Sequence, residues 1–273
     1  MTAPQVYPKH IYEPIRIQIA TDYMKQELRK LLPEVRGKEI WKKIDRSLDD
    51  WFGENLSVGG ARNFWNGFWG IAMGFKLKIT FIQVLTAENI FWRFDENLPL
   101  DNKLASGGPL KCISEELSEK RPKASRLREF FEKNQKLANK WRSEFRKQGE
   151  SSKSREYFPI IAMEEVDNDE EIISIHDGNR KMILSVLEDK TTIPAYVGKY
   201  TTEEKTPKNF WLPTSFLMEL VQDGEYANGY EEILALLKKL IKLSKSVEYE
   251  LRERVLVGKN KFRMKLKKDF GWI

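Results

Sequence analysis

Residues 158–198, FPIIAMEEVDNDEEIISIHDGNRKMILSVLEDKTTIPAYVG, decide the fold of this chain. Three apolar runs alternate with an acidic turn, a glycine-containing loop and a segment in which Ile183 and Leu187 lie one helical turn apart. Short apolar runs bounded by turn residues are typical of strands, and apolar residues three or four apart are typical of helices. The stretch therefore predicts strand, strand, loop, helix and strand, with the helix beginning within a residue or two of Arg180.

The predicted fold class is α+β, with a small mixed β-sheet wrapped by N-terminal and C-terminal helical regions. Residues 172–175 and 193–197 are expected to be strands of that one sheet. Three regions are predicted along the chain. They are an α+β region at 1–122, a core with a leading amphipathic helix at 123–213, and a basic helical region at 214–273.

Outside the deciding stretch, helices and strands are predicted from the same periodicities. The aromatic stretch 59–75, GGARNFWNGFWGIAMGF, is interpreted as core packing between helices, in preference to a surface that stacks on bases. The other predicted elements are a strand at 15–19, a helix ending at Gly53, a strand at 75–85, a long surface loop at 95–109, one amphipathic helix at 123–147 and an edge strand at 259–268.

The loop at 176–181, HDGNRK, carries the chemistry. A helix that begins directly after a glycine turn points its first N–H groups, and the positive end of its dipole, towards an anion. Gly178 leaves room for a ligand to approach the backbone, and Arg180 can donate charge-assisted hydrogen bonds. We therefore predict a phosphate-binding site formed by Gly178, Asn179, Arg180 and Lys181.

His176 and Asp177 are the predicted catalytic residues of the same loop. A histidine beside a phosphate can act as a general acid or base, although histidines in turns often only cap or pack the turn. Asp177 can hold the turn through bonds to its own backbone or orient Arg180. Both alternatives stay open for each residue.

The same stretch resembles the core signature of the ParB/sulfiredoxin-like superfamily over about forty residues. The matching positions of the loop and of the following "IPA-V" strand are Asp177, Gly178, Asn179, Arg180, Lys181, Ile193, Pro194, Ala195 and Val197. The resemblance implies a nucleotide as ligand of the loop, CTP or ATP/ADP, with or without Mg²⁺.

The family includes partition proteins that bind CTP and DNA, free-serine kinases, sulfiredoxins and restriction proteins. Sulfiredoxin chemistry is disfavoured because the only cysteine, Cys112, lies outside the loop. The resemblance thus implies a nucleotide-binding protein that acts on or beside DNA, with nucleotide hydrolysis or nuclease activity as its enzyme class. The alternatives are a small-molecule phosphotransferase resembling the free-serine kinases and a non-catalytic regulatory protein.

The charge distribution favours an anionic partner. The chain has a formal net charge of +6, and residues 120–147 contain eleven basic against three acidic residues. We predict nucleic-acid contacts at Lys136 and Lys140, and at Lys238 and Lys242. The alternative is that these lysines only solvate two amphipathic helices, with their aliphatic stems covering apolar surface.

Composition excludes several classes of protein. A single cysteine forms neither an intramolecular disulfide nor a cysteine metal cluster, and His10 and His176 do not form a ligand pair of recognisable spacing. No metal site is predicted. The N-terminus lacks the apolar segment of a secretory signal, and no run is long enough to span a bilayer. The chain is therefore expected to be cytosolic, without a membrane partner, and its oligomeric state is left open.

Overall fold

A computed structural model describes residues 9–32, 38–74, 79–107, 117, 119, 121–147 and 158–273. The chain divides into two compact units. Unit 1 comprises Met1–Ile90 and Thr206–Ile273, and unit 2 comprises Phe91–Lys205. These bounds differ from the three predicted regions, because two strands of the sheet precede the boundary that was placed at residue 122.

The described helices and strands have the following bounds in chain order. They are a 3₁₀ turn Lys9–Tyr12, α1 Pro14–Leu31, α2 Lys38–Gly74, α3 Ile79–Thr86, β1 Ile90–Pro99, β2 Leu104–Ser106, α4 Ala124–Lys133, α5 Gln135–Lys147, β3 Ile160–Asp167, β4 Glu170–Asp177, α6 Asn179–Leu187, β5 Thr192–Tyr200, α7 Thr214–Tyr226, α8 Tyr230–Leu243, α9 Lys245–Glu250, a π-helical turn Leu251–Val255 and α10 Lys261–Asp269.

The deciding stretch folds as predicted, into β3, β4, α6 and β5. The sheet is mixed, with strand order β1-β5-β3-β4-β2. β3 is antiparallel to β4 and parallel to β5, and β2 is parallel to β4. Residues 172–175 and 193–197 therefore belong to one sheet, and α6 begins at Asn179. The α+β class with a mixed sheet is confirmed.

The hairpin between β3 and β4 is tighter than the predicted acidic turn. β3 extends to Asp167 and β4 begins at Glu170, so that only two residues connect them. Both connecting residues, Asn168 and Asp169, have positive φ, 49° and 65°. Two-residue hairpin loops favour this conformation, and Asn and Asp tolerate it better than most residues. The acidic residues of the turn therefore belong largely to the strands, where Glu165 becomes part of the site described below.

One face of the sheet packs against helices α4, α5 and α6. The buried cluster that joins them consists of Leu98, Leu100, Leu104, Ala124, Leu127, Phe131, Ala138, Ile160, Ile175, Met182, Ile183, Leu184, Val186, Leu187, Ile193, Ala195 and Val197. Each fully buried aliphatic side chain of this kind stabilises the fold by about 1.5–3 kcal/mol relative to exposure. The single helix predicted at 123–147 is wrong. Asn134, whose N–H donates to the carbonyls of Phe130 and Phe131, separates α4 from α5.

Three strand predictions and one loop prediction are also wrong for the described residues. Residues 15–19 belong to α1, residues 79–85 belong to α3, and residues 259–268 fall mainly in α10. The predicted loop at 95–109 contains the end of β1 and all of β2. Asn260 caps α10 by accepting from the N–H groups of Phe262 and Arg263, and this cap outweighs the two-residue alternation.

In unit 1, α2 continues past Gly53, where the sequence predicted its end. The helix instead kinks at Gly60, which has φ 64° and ψ −163°. The interpretation of the aromatic stretch as core is confirmed, because its four large rings are at most 1% exposed; they are Phe64, Trp65, Phe68 and Trp69. Among the residues that the structure describes, no helix is both long enough and apolar enough to cross a bilayer.

Candidate functional site

The predicted phosphate loop joins the end of β4 to the start of α6. Gly178 is the N-cap residue of α6, with φ 104° and ψ 16°. This conformation favours glycine, and a Cβ at this position would lie 2.6 Å from Cγ2 of Ile160. Gly178 is therefore required by the fold itself, which is a different reason from the close approach of a ligand predicted from the sequence.

His176 lies in a β-bulge immediately before the loop glycine. Ile175 pairs with Ala162 and Asp177 pairs with Ile161, so that His176 is the one extra residue between two consecutive pairs. Bulges redirect side chains and are frequent beside active sites. The His176 side chain is 32% exposed, and it is therefore accessible from solvent at the mouth of the loop.

The ring of His176 faces a carboxylate of β3. His176 Nε2 lies 3.4 Å from Oε1 of Glu165, at the long end of the hydrogen-bonding range. Arg121 donates from Nη2 to Oε2 of the same carboxylate at 2.8 Å. The hydrogen bond with His176, together with the ion pair with Arg121, outweighs partial burial and lowers the pKa of Glu165 to about 2. Glu165 is therefore ionised throughout the neutral pH range.

Arg121 binds the other oxygen of this carboxylate. Its Nε donates to the carbonyl oxygen of Ser106 at 3.2 Å, and its Nη2 donates to the hydroxyl of Ser174. Its Nη1 also lies 3.5 Å from the carboxylate of Asp167. The guanidinium thus links β2, β3 and β4. Since its position is fixed from several directions, little further side-chain entropy is lost in fixing Glu165.

Tyr200, at the end of β5, shares this electrostatic environment. Burial, and secondly the negative charge of Glu165, raise the pKa of Tyr200. Gly198 pairs with Met163, and successive side chains of a strand alternate between faces, so Tyr200 and Glu165 lie on the same face of the sheet. We call the five side chains on and beside this face the polar cluster; they are His176, Glu165, Arg121, Ser174 and Tyr200.

Two of the four predicted phosphate ligands bind neighbouring segments of the chain. The N–H of Gly107 donates to Oδ1 of Asn179 at 3.3 Å, which attaches the end of β2 to the loop. Lys181 donates from Nζ to the carbonyl oxygen of Phe158 at 2.6 Å, and its Nζ lies 5.7 Å from the centre of the Phe158 ring. Both side chains therefore have a structural function in addition to any contact with a ligand.

Asp177 directly precedes Gly178, and Arg180 follows it by two residues. Arg180 is exposed in the first turn of α6, and Asp177 is half-buried as the last residue of β4. The N-cap residue of α6 is Gly178, which has no side chain of its own to cap the helix. The first-turn N–H groups of α6 and the guanidinium of Arg180 are the groups of this loop with the chemistry to bind an anion.

The basic residues of 120–147 differ in what they contact. Among those whose side chains the structure describes, five bind other parts of the chain; they are Arg121, Lys123, Arg126, Arg128 and Arg142. Lys136 and Lys140 lie on the exposed side of α5, one turn apart, without a carboxylate partner among the described residues. In unit 1, Lys238 and Lys242 are arranged in the same way on α8.

The sequence did not predict four residues of this site; they are Glu165, Arg121, Ser174 and Tyr200. Glu165 was assigned to an acidic turn and Arg121 to a basic helix. One signal was available for Glu165. Glu165 and Asp167 continue the two-residue period that Met163 begins, which indicates that the strand extends to Asp167. Nothing in the sequence places Arg121 beside them, because that contact depends on the pairing of β2 with β4.

In comparisons with protein-family models, curated proteins and solved structures, no match to this chain was found. Within the described residues, no group of three or more His, Cys, Asp or Glu side chains is arranged to hold a metal ion. The site is accordingly interpreted from its own geometry and chemistry.

Proposed function

We propose that the chain is a nucleotide-binding protein that acts on or beside DNA, and that the phosphate groups of the nucleotide bind at the loop 176–181. The observation that carries this proposal is the junction at Gly178. There a strand passes directly into a helix whose N-cap residue is a glycine, and the exposed Arg180 lies in the first turn of that helix. Helix N-termini of this type bind phosphate through N–H groups and the helix dipole.

The resemblance to the ParB/sulfiredoxin-like superfamily supports the same proposal. The order strand, glycine loop, helix and Ile193-Pro194-Ala195 strand occurs within one mixed sheet. The ligand proposed is CTP or ATP/ADP. Mg²⁺, if it accompanies the nucleotide, would be held chiefly by phosphate oxygens and water, as is usual for this ion. A cytosolic location and a nucleic-acid partner are parts of the same proposal.

The exposed lysine pairs support a nucleic-acid partner. Lys136 with Lys140, and Lys238 with Lys242, each present two cations one helical turn apart on a solvent-facing side of a helix. Such pairs can neutralise backbone phosphates without reading sequence. Nuclease or nucleotide hydrolase activity is the enzyme class that we propose.

One observation favours the small-molecule phosphotransferase as a second candidate. Of the basic residues at 120–147 whose side chains the structure describes, five are bound within the protein, which leaves less cationic surface than the sequence suggests. The exposed His176, supported by Glu165, has the chemistry needed to take a proton from a substrate hydroxyl.

Titration calorimetry of the full chain with CTP, ATP, ADP and GTP, each with Mg²⁺, tests the proposal. Saturable binding of at least one nucleotide is expected. If none of the four nucleotides gives a heat of binding at millimolar concentration, the proposal is contradicted. Retention of nucleic acid at low salt separates the DNA-associated function from the phosphotransferase.

A further inference from the structure

We infer that Glu165 is a positioning residue that fixes neutral His176 in the tautomer with its proton on Nε2, so that Nδ1 is the proton-accepting atom beside the loop. The inference begins from which ring nitrogen meets the carboxylate. That nitrogen is Nε2, 3.4 Å from Oε1 of Glu165. A neutral imidazole has one N–H, and the hydrogen bond of that N–H determines which nitrogen remains basic.

The direction of this hydrogen bond follows from the charge of Glu165. An ionised carboxylate only accepts hydrogen bonds. The guanidinium of Arg121, which donates to Oε2 at 2.8 Å, favours the ionised form, so the carboxylate has no proton to donate at neutral pH. Nε2 must therefore be the donor. Nδ1 is left with its lone pair, on a side chain that is 32% exposed.

The neighbours of Glu165 and His176 keep the Glu165 carboxylate in place as the acceptor of the Nε2–H group. Arg121 binds its other oxygen at 2.8 Å and also lies near Asp167. Tyr200 approaches from β5, where burial and the charge of Glu165 raise its pKa, so its hydroxyl keeps its proton at neutral pH. Glu165 pairs with Ile172, four residues before His176 on β4. The bulge takes His176 out of the regular alternation of side chains, and its ring reaches Glu165.

The chemical consequence rests on the proposed function. With a nucleoside triphosphate at the loop, the oxygen of a water molecule attacks the terminal phosphorus while its proton passes to Nδ1 of His176. A new P–O bond forms, and the phosphoanhydride P–O bond breaks with its electron pair leaving on the nucleoside diphosphate. The products are the diphosphate and inorganic phosphate. Glu165 does not exchange a proton in this step, and it stabilises the imidazolium through the Nε2–H bond.

The ring ¹⁵N spectrum of the full-length chain tests the tautomer without any ligand. The chain has two histidines, and a His10→Gln variant assigns the signals of His176. At an alkaline pH where the ring signals no longer change with pH, wild type should show only the Nε2–H form. Glu165→Ala should give both tautomers in rapid exchange.

Glu164→Ala is the matched control, because Glu164 is the neighbouring ion-paired carboxylate of β3 and binds Arg93 and Lys199 instead. Its spectrum should equal that of wild type. A mixture of tautomers in wild type, or an Nδ1–H form, overturns the inference even if Glu165→Ala does not fold. An unchanged His176 spectrum in folded Glu165→Ala overturns it as well.

Phosphate release from a nucleotide that binds gives the second measurement. His176→Ala should lower kcat by on the order of 10²-fold or more, the usual contribution of a general base, and Glu165→Ala should lower it by less. Rates equal to wild type in both variants overturn the catalytic part of the inference. If no nucleotide binds while the single tautomer is present, the proposed function fails and the positioning role of Glu165 stands.

Discussion

Arg142 donates from both Nε and Nη2 to the carbonyl oxygen of Leu187, at 2.9 and 2.7 Å. Leu187 is the last residue of α6, the helix that begins at the candidate phosphate loop. A cation at a helix C-terminus satisfies a carbonyl that has no partner within the helix and also interacts favourably with the helix dipole. Arg142, which the sequence analysis counted among the basic residues of 120–147, therefore stabilises the helix that begins at the candidate site.

We expect Arg142→Ala to destabilise the protein by about 1.5–3 kcal/mol, the range for hydrogen bonds to charged groups. The loss should appear as a lower midpoint in urea denaturation. Lys140→Ala removes an exposed cation of the same helix and should change stability by no more than about 0.5 kcal/mol. Equal effects of the two substitutions would show that the bonds to Leu187 contribute nothing.

Gly178→Ala should destabilise the protein more than Gly258→Ala. Both glycines have nearly the same φ, 104° and 102°, so the cost of a positive φ is matched. Only at Gly178 would the new Cβ meet another atom, Cγ2 of Ile160 at 2.6 Å, whereas Gly258 has open space. The additional cost should be about 1–3 kcal/mol, as for overpacked sites. Similar free energies of unfolding for the two variants would contradict the packing argument.

The pH dependence of stability should reflect Glu165. Its pKa is lowered from 4.5 to about 2 in the folded protein, by the hydrogen bond with His176 and the ion pair with Arg121. Ionisation therefore stabilises the fold at pH values above the unfolded-state pKa, and this contribution is lost as the pH falls through about 2. It amounts to no more than about 3 kcal/mol.

In Glu165→Gln, the free energy of unfolding should be lower than that of wild type near neutral pH, and the two proteins should converge as the pH falls towards the folded-state pKa. Urea denaturation at a series of pH values measures both. Glu171 is an exposed carboxylate of β4. The free energy of unfolding of Glu171→Gln should change with pH in the same way as that of wild type. A difference between wild type and Glu165→Gln that stays constant with pH would rule out the linkage.

The sequence predicted the central hairpin, loop, helix and strand because there the local signals agree. Apolar runs, a glycine that needs φ 104° and the Ile193-Pro194 pair at the start of β5 all indicate the same boundaries. The strand predicted at 15–19 is wrong because the side chain at position 16 is charged and yet buried. In α1, Arg16 is 1% exposed and donates to the carbonyls of Leu85 and Ile90. A buried arginine within the apolar stripe concealed the helical period and left an apparent strand alternation.

For the candidate site, the sequence predicted where strand β4 passes into helix α6 but not the contacts around this loop. The contacts of Asn179 with Gly107 and of Arg121 with Glu165 join residues 72 and 44 positions apart. Such contacts depend on the strand order, which adjacent residues do not encode. The short apolar run at 79–85 failed for a different reason, since a buried helix and a buried strand have the same composition over so few residues.

Charge reversal on α5 tests the nucleic-acid partner. Binding of DNA or RNA by wild type should be largely independent of sequence and should weaken with salt at a log–log slope of about −0.9 per phosphate contact. Lys136→Glu with Lys140→Glu should flatten this slope by roughly 0.9 for each phosphate that the protein no longer neutralises, measured by fluorescence anisotropy. Lys238→Glu with Lys242→Glu makes the same change of net charge on the other predicted surface. Neither pair should alter nucleotide affinity.

No retention of DNA or RNA by wild type, even at low salt, would show that these lysines only solvate their helices. Together with clear nucleotide binding, that result would favour the small-molecule phosphotransferase. Equal slopes in wild type and in both double variants, with binding intact, would place the nucleic-acid contacts elsewhere on the protein.

The nucleotide affinity of Arg180→Ala, compared with that of wild type by titration calorimetry, tests the central claim most directly. Losing a charged hydrogen bond should cost roughly 1.5–3 kcal/mol, about ten- to a hundredfold in Kd, with little change in melting temperature because Arg180 is exposed. Arg126→Ala, an exposed arginine of the same unit that pairs with Glu119 and Glu129, should bind like wild type. Equal affinities in wild type and Arg180→Ala would contradict the assignment of the phosphate site to this loop.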